Sequence, residues 1–107
     1  MAIDEVTVNE LASALEGGAR VFDVREPSEY TEGHVPGAVL IPLGTVADRV
    51  DELRGDGPTY VICKGGGRSM RACEVLAANG ITAINVAGGT MDWIASGRDV
   101  IAGDSPA

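Results

Sequence analysis

Apolar residues follow two alternating patterns along the chain: short continuous runs, and runs with helical spacing. The short runs are bounded by glycine, proline or polar turn residues, and they predict four strands. Ile3 to Val6, which has two acidic residues between its apolar ends, is predicted as a short first strand. The predicted strands cover residues 3–6, 21–24, 38–41, 59–63 and 83–86. Continuous apolar strands are typical of a largely parallel sheet whose two faces are both covered.

Helical signals fall between these strands. Thr7 and Glu10 form a capping box, which predicts a helix that ends at Gly17-Gly18. Pro27 suits the first turn of a short helix over residues 27–32. Further helices are predicted from residue 45 to Leu53, over 70–77 before Gly80, and after Gly88-Gly89 with Met91, Trp93 and Ile94. Strands that alternate with helices in this way indicate an α/β fold.

Length and charge narrow the class of protein. The 107 residues fit one domain, with a core expected over about residues 6–100 and a mobile tail over 102–107. A formal net charge of −8 disfavours nucleic acid and anionic membranes as partners. No apolar run approaches the ~20 residues that span a bilayer, and residues 1–5 lack signal-peptide character. A cytoplasmic location is therefore expected.

One segment departs from the acidic background. Lys64, Arg68 and Arg71 lie in an octet without acidic residues, directly after Cys63, and Lys64 is the only lysine of the chain. Cys63 itself ends a predicted strand, and three glycines follow it before a predicted helix. In parallel sheets, ligands bind beyond the carboxyl ends of strands, which is where this segment lies.

The segment from Cys63 to Ser69 has the composition of an anion cradle. Gly65, Gly66 and Gly67 permit positive φ, so successive N–H groups can converge on one point, and the following helix adds its N-terminal N–H groups. Lys64 and Arg68 add full charges, and Ser69 is either the N-cap or a hydroxyl donor facing the loop. These neighbours all favour a thiolate, so we expect Cys63 to have a lowered pKa and to act as a nucleophile towards an anion.

Five motifs in order carry a resemblance to a known family. They are DVREPSEY at 23–30, GHVPGA at 33–38, IP at 41–42, CKGGGRS at 63–69 and GGTMDW at 88–93. With these motifs the chain resembles a single-domain rhodanese, a thiosulfate sulfurtransferase-like domain, over essentially its whole length. The resemblance implies a mostly parallel five-stranded sheet with helices on both faces.

The resemblance also implies a reaction. Cys63 would take a sulfane sulfur from thiosulfate or a similar anionic donor, become a persulfide, and pass the sulfur to cyanide or a thiol. Residues 63–68 would form the active-site loop, whose Lys64 and Arg68 favour an inorganic anion over mercaptopyruvate. No cofactor or metal is expected, because the cysteine supplies the chemistry.

Several other residues have mainly structural interpretations. Asp23 and Arg25 are expected to support the site entrance through an ion pair and loop hydrogen bonds. His34, the only histidine, is expected to be a satisfied structural residue, and Cys73 to lie in the core rather than act as a resolving thiol. Trp93, with Met91 and Ile94, is expected to pack the last helix on the sheet.

Two other functions remain open from the sequence. The domain could be a sulfur carrier or a regulatory module served by a partner in a sulfur relay. A cysteine-dependent phosphatase or arsenate reductase uses a similar cradle, but those phosphatases have five residues between cysteine and arginine. Here four residues separate Cys63 from Arg68, and this shorter loop favours a sulfur atom over a phosphoryl group.

Overall fold

The computed structural model describes residues 2–107, and its centre is a five-stranded sheet. The strands are β1 (Asp4–Val6), β2 (Arg20–Asp23), β3 (Val39–Leu40), β4 (Thr59–Ile62) and β5 (Ala83–Val86). Their order across the sheet is β1-β5-β4-β2-β3, and every neighbouring pair is parallel. The predicted α/β fold with a mostly parallel sheet is confirmed, with strand ends within one residue of the prediction.

The helices are α1 (Val8–Glu16), α2 (Pro27–Glu32), α3 (Val50–Leu53), α4 (Gly67–Ala78) and α5 (Gly89–Ala95). The predicted capping box is present: the Thr7 hydroxyl accepts from the Glu10 amide at 3.2 Å, and the Glu10 carboxylate accepts from the Thr7 amide at 2.9 Å. Within residues 2–107, no helix is long and apolar enough to cross a membrane.

The segment after Pro42 differs from its prediction as one helix. It forms a 3₁₀ helix (Leu43–Asp48) and then the single turn of α3. Arg49 separates the two, with φ −122° and ψ 23°, which lies outside helical geometry. The apolar spacing of Val46 and Leu53 is still correct, since both side chains are fully buried.

Alternating side chains of the strands form two apolar layers, one on each face of the sheet. Phe22 and Val61 point to the layer that α3 and α4 cover. Val21 and Ile62 point to the opposite layer, which α1, α2 and α5 cover. The expected placement of helices on both faces is therefore confirmed.

The C-terminal tail lies against the turn between α2 and β3. His34 is fully buried, its ring stacks on Tyr30 at 3.7 Å, and its nitrogens contact the carbonyls of Tyr30 (2.9 Å) and Ser105 (2.8 Å). The Gly37 amide donates to the Pro106 carbonyl at 2.8 Å. His34 thus has the structural role expected of it. The tail therefore contacts this turn at several points, and the mobility expected of residues 102–107 stays a prediction.

Candidate active site

The parallel register brings the ends of β2 and β4 together. Asp23 pairs with Ile62, so Cys63 begins its loop beside the segment that follows β2. The Val24 amide donates to the Ile62 carbonyl at 3.0 Å and extends this contact by one residue. Cys63 is only 1% exposed, at the bottom of the loop that leads into α4.

Hydrogen-bond donors surround the Cys63 sulfur. The Gly66 N–H lies 3.1 Å from Sγ, and the Ser69 hydroxyl lies 3.2 Å from it. Gly66 is the N-cap of α4 and has a φ of +112°, a region that a side chain would disfavour. Ser69 is the third residue of α4 and is fully buried, so it is a hydroxyl donor to the sulfur and not the N-cap.

These donors determine the direction in which the pKa of the thiol is shifted. Burial raises the pKa of Cys63, but hydrogen bonds from the Ser69 hydroxyl and from the N–H groups of Ser69, Gly66 and Gly65 outweigh it, so its pKa is lowered. Cys73 shows what burial does without such donors, because there it raises the pKa to about 12. The lowered pKa agrees with the sequence-based expectation for Cys63, and Cys73 lies in the core as expected.

We predict that Ser69→Ala raises the pKa of Cys63 by about one unit, because a hydrogen bond to a charged group is typically worth about 1.5–3 kcal/mol. The ultraviolet absorbance of the thiolate, measured against pH, gives the midpoint directly. We expect no interference from Cys73, because burial raises its pKa to about 12. Ser96→Ala is the matched control, because the Ser96 hydroxyl donates to the Trp93 carbonyl. An unchanged midpoint in Ser69→Ala would contradict the assignment.

The start of α5 holds the loop from the other side. The Thr90 amide and hydroxyl donate to the Cys63 carbonyl at 2.9 and 3.0 Å, and the Met91 amide donates to the Lys64 carbonyl at 3.0 Å. Gly89 makes this approach possible, because a Cβ there would lie 2.5 Å from both carbonyl oxygens. Sequence reasoning did not assign Thr90 or Gly89 to the site, although the Gly-Gly pair before a helix was a visible signal.

The cations of the loop differ in their surroundings. Arg68 forms a bidentate pair with Glu29 of α2, with N–O distances of 2.7 and 2.9 Å. This pairing, chiefly through the hydrogen bond, lowers the pKa of Glu29 to about 2. Arg68 therefore does not present the free charge that the sequence suggested. Lys64 is exposed, and no carboxylate of residues 2–107 lies within ion-pair distance of it.

The ion pair expected between Asp23 and Arg25 is present at the end of β2. They form a buried ion pair of 2.8 Å, and Arg25 also donates to the Gly33 carbonyl at 2.8 Å. The Asp23 carboxylate accepts from the Arg25 amide as well. These bonds tie the segment after β2 to the end of α2, so the pair fixes the wall of the site.

A cleft of about 300 Å³ opens in front of this assembly. Its polar side includes Glu29, Glu32 and Lys64, and its apolar side includes Met91, Ile94 and Val100. Met91 and Ile94 are 57% and 53% exposed, so the expectation that both pack on the sheet was wrong. Trp93 does pack as expected: it is buried, and its indole N–H donates to the Asp99 carbonyl at 2.9 Å.

The chemistry of the described residues centres on one thiol, whose pKa is lowered by its hydrogen-bond donors. Between residues 2 and 107, no group of three or more His, Cys, Asp and Glu side chains is arranged to hold a metal ion. The site instead offers a buried sulfur with N–H and O–H donors around it, and a cleft lined by Lys64, the residue that follows Cys63. This arrangement suits attack on an anion and stabilisation of a negatively charged sulfur intermediate.

Comparison with known proteins agrees with this geometry. The uncharacterized protein YqhL of Bacillus subtilis is 45% identical over 76 residues, which is 70% of this chain, and the chain spans 60% of that relative's length. The thiosulfate sulfurtransferase GlpE of Pseudomonas entomophila is 36% identical over 71% of both chains.

Structural and family comparisons extend the similarity to nearly the whole chain. A crystal structure of a rhodanese-related protein from Thermoplasma volcanium is 31% identical, with a TM-score of 0.85 over 92% of this chain and 97% of that one. Residues 7–96 match the family described as "Rhodanese-like domain". With a five-stranded parallel sheet, a cysteine at the end of its central strand and this match, the chain belongs to the Rhodanese-like domain family.

Proposed function

We propose that the protein is a sulfurtransferase that moves a sulfane sulfur from thiosulfate or a similar donor to a thiophilic acceptor. The observation that carries the proposal is the ring of donors from Gly66 and Ser69 around the Cys63 sulfur. A persulfide carries its negative charge beside the same donors, so the ring favours the intermediate as it favours the thiolate. The name of the relative GlpE supports thiosulfate as the donor.

The proposed reaction has two displacements at sulfur. In the first, the Cys63 thiolate attacks the outer sulfur of thiosulfate, an S–S bond forms, and sulfite leaves with the electron pair of the broken S–S bond. In the second, the thiolate of the acceptor, or cyanide, attacks the terminal sulfur of the persulfide. The Cys63 thiolate leaves with the bonding pair and is regenerated, and no external oxidant or reductant is required.

The burial of Cys63 supports a slender donor. With 1% of the residue exposed, a single terminal sulfur atom approaches Sγ more easily than a phosphoryl group surrounded by oxygens. The loop also has four residues between Cys63 and Arg68, whereas those cysteine-dependent phosphatases have five. The burial of the sulfur and the short loop favour sulfur transfer over the phosphatase or arsenate reductase alternative.

The apolar side of the cleft supports a thiol as the acceptor. Met91 and Ile94 expose more than half of their surface beside the loop, and cyanide makes no use of such a wall. A thiol carried on an apolar group, or on a partner protein, buries part of this surface when it reaches the persulfide. A sulfur carrier in a relay is therefore the second candidate, and it shares the Cys63 persulfide.

One experiment tests both candidates. The protein is incubated with thiosulfate, and its intact mass is measured for the addition of one sulfur atom, located on Cys63 by peptide mapping. Turnover is then compared with cyanide, with a small hydrophilic thiol and with an alkyl dithiol as acceptors. An adduct with fast turnover supports the enzyme, and an adduct with slow turnover supports the carrier. Absence of the adduct with thiosulfate and with other sulfane donors would overturn both.

We predict that Glu29→Gln lowers the KM for thiosulfate about three- to tenfold. Glu29 is ionised at neutral pH, and its hydrogen bond with Arg68 lowers the pKa of its carboxyl to about 2, so this carboxylate competes with an anionic donor for Arg68. The neutral amide weakens that competition by about 1 kcal/mol, a typical value for a partly exposed pair. Steady-state kinetics at fixed ionic strength measure the effect.

Glu32→Gln is the matched control for this prediction. Glu32 lies on the same helix and lines the same cleft, and it is exposed. Its replacement removes one negative charge near the donor but leaves the pair between Glu29 and Arg68 intact. Equal effects of the two substitutions on KM would show that only the total negative charge near the cleft matters. The competition for Arg68 would then be refuted.

A further inference from the structure

Asn85 is a buried polar residue in the middle of an apolar strand. It lies on β5 between Ile84 and Val86, and only 1% of its surface is exposed. The strand was predicted from its apolar character, and an amide at this position has no place in that pattern. Because a buried amide costs free energy unless it forms hydrogen bonds, its contacts indicate why it is there.

Only the nitrogen of the Asn85 side-chain amide forms hydrogen bonds. Its Nδ2 donates to the Gly66 carbonyl at 3.2 Å and to the Glu5 carboxylate at 2.8 Å. Its Oδ1 is buried and has no hydrogen-bond partner among residues 2–107. The reverse orientation of the amide would set Oδ1 against two oxygen atoms, so these contacts fix Nδ2 towards Gly66. Burying Oδ1 without a hydrogen-bond partner destabilises the fold, so a contribution to stability does not explain why asparagine is at this position.

Gly66 connects Asn85 to the nucleophile. The N–H of Gly66 donates to the Cys63 sulfur, and its carbonyl accepts from Asn85 and from the Met70 amide at the start of α4. Between these two groups the backbone of Gly66 has a φ of +112°. Glycine adopts many φ values with similar ease, so other contacts must hold the backbone at this angle. Holding the carbonyl restricts the rotation of residue 66 and so the direction of its N–H.

We propose that Asn85 is a positioning residue for Cys63: it clamps the Gly66 carbonyl so that the Gly66 N–H points at the sulfur. Asn85 does not touch the sulfur and acts only through Gly66. The clamp crosses from β5 to the loop after β4, two segments that are 19 residues apart in sequence. Its value for sulfur transfer rests on the proposed function, but its effect on the Cys63 thiolate does not.

The test measures the thiolate of the free protein. Asn85→Leu keeps the approximate volume and removes the clamp, so the midpoint of the thiolate absorbance of Cys63 against pH should rise by about half a unit, which is about threefold in the equilibrium constant. The same change removes the unpartnered Oδ1, so thermal stability should fall little. A raised midpoint together with a nearly unchanged thermal stability distinguishes a positioning role from a merely structural one.

Glu5→Gln is the control, because it removes the charged partner of Asn85 and leaves the bond to Gly66. Its midpoint should not rise, since loss of a nearby negative charge favours a thiolate. If Asn85→Leu fails to fold, Asn85→Ala carries the same prediction. A folded Asn85 variant with an unchanged midpoint would overturn the proposal. A wild-type thiolate that forms no persulfide would instead refute the proposed function and leave the role of Asn85 standing.

Discussion

Replacing Cys63 with alanine will abolish the persulfide adduct and reduce sulfur transfer at least a thousandfold, about the loss expected when a nucleophile is removed. In the chain, Cys73 is the only other thiol. It is fully buried, and burial raises its pKa to about 12, so at neutral pH it supplies almost no thiolate. Intact mass after incubation with thiosulfate, followed by turnover with an acceptor thiol, measures both effects.

Cys73→Ala is the matched control for this substitution. Cys73 packs in the layer between the sheet and α4, so its loss should destabilise the fold by about 1–2 kcal/mol while the adduct on Cys63 still forms. An adduct on the Cys63→Ala protein would show that sulfur is carried elsewhere. Greater accumulation of the adduct in a folded Cys73→Ala protein would point to a resolving thiol that normally discharges the persulfide, against the core position that the structure gives Cys73.

The parts of the site that lie close together in sequence could be predicted. A strand, a cysteine, three glycines and a helix fall within one short segment, and local backbone rules are enough to converge N–H groups on Cys63. The capping box of Thr7 and Glu10 is local in the same sense. In each case the interacting groups are a few residues apart, so the spacing determines the contact.

Contacts between distant segments could not be predicted in this way. Arg68 and Glu29 are 39 residues apart. The sequence shows a cationic loop, but it does not show which carboxylate forms an ion pair with it. The bond from Asn85 to Gly66 depends on the order of β4 and β5 in the sheet. The tail is held mainly through backbone carbonyls, which composition does not reveal.

Short helices set a second limit on prediction from sequence. The seven residues of α5 make about two turns, too few for apolar spacing to separate a core face from an exposed apolar face. Trp93 faces the core, whereas Met91 and Ile94 face the cleft, although all three have the same apolar character. The wall that we assign to the acceptor was therefore visible only once α5 was placed beside the loop.

The contact between α5 and the loop leads to the second large effect. We predict that Gly89→Ala destabilises the protein by about 3–5 kcal/mol, at the upper end for a single substitution, and reduces transfer at least a hundredfold. The new Cβ would lie 2.5 Å from the carbonyl oxygens of Cys63 and Lys64, which are backbone atoms that no rotamer change can move. To relieve this contact, α5 must withdraw and lose the bonds from Thr90 and Met91 to those carbonyls. Thermal unfolding and persulfide formation measure the two losses.

Gly97→Ala separates this steric effect from the cost of the backbone conformation. Gly89 and Gly97 have φ values of +57° and +85°, both in the region that favours glycine, but a Cβ at Gly97 meets nothing within 4 Å. Its replacement should cost about 1 kcal/mol and leave the rate of transfer unchanged. If Gly89→Ala costs no more than Gly97→Ala, the loop does not depend on the close approach of α5. A larger loss of stability in Gly89→Ala, together with loss of the persulfide, would show that the contact between the two glycine-rich motifs stabilises the reactive loop.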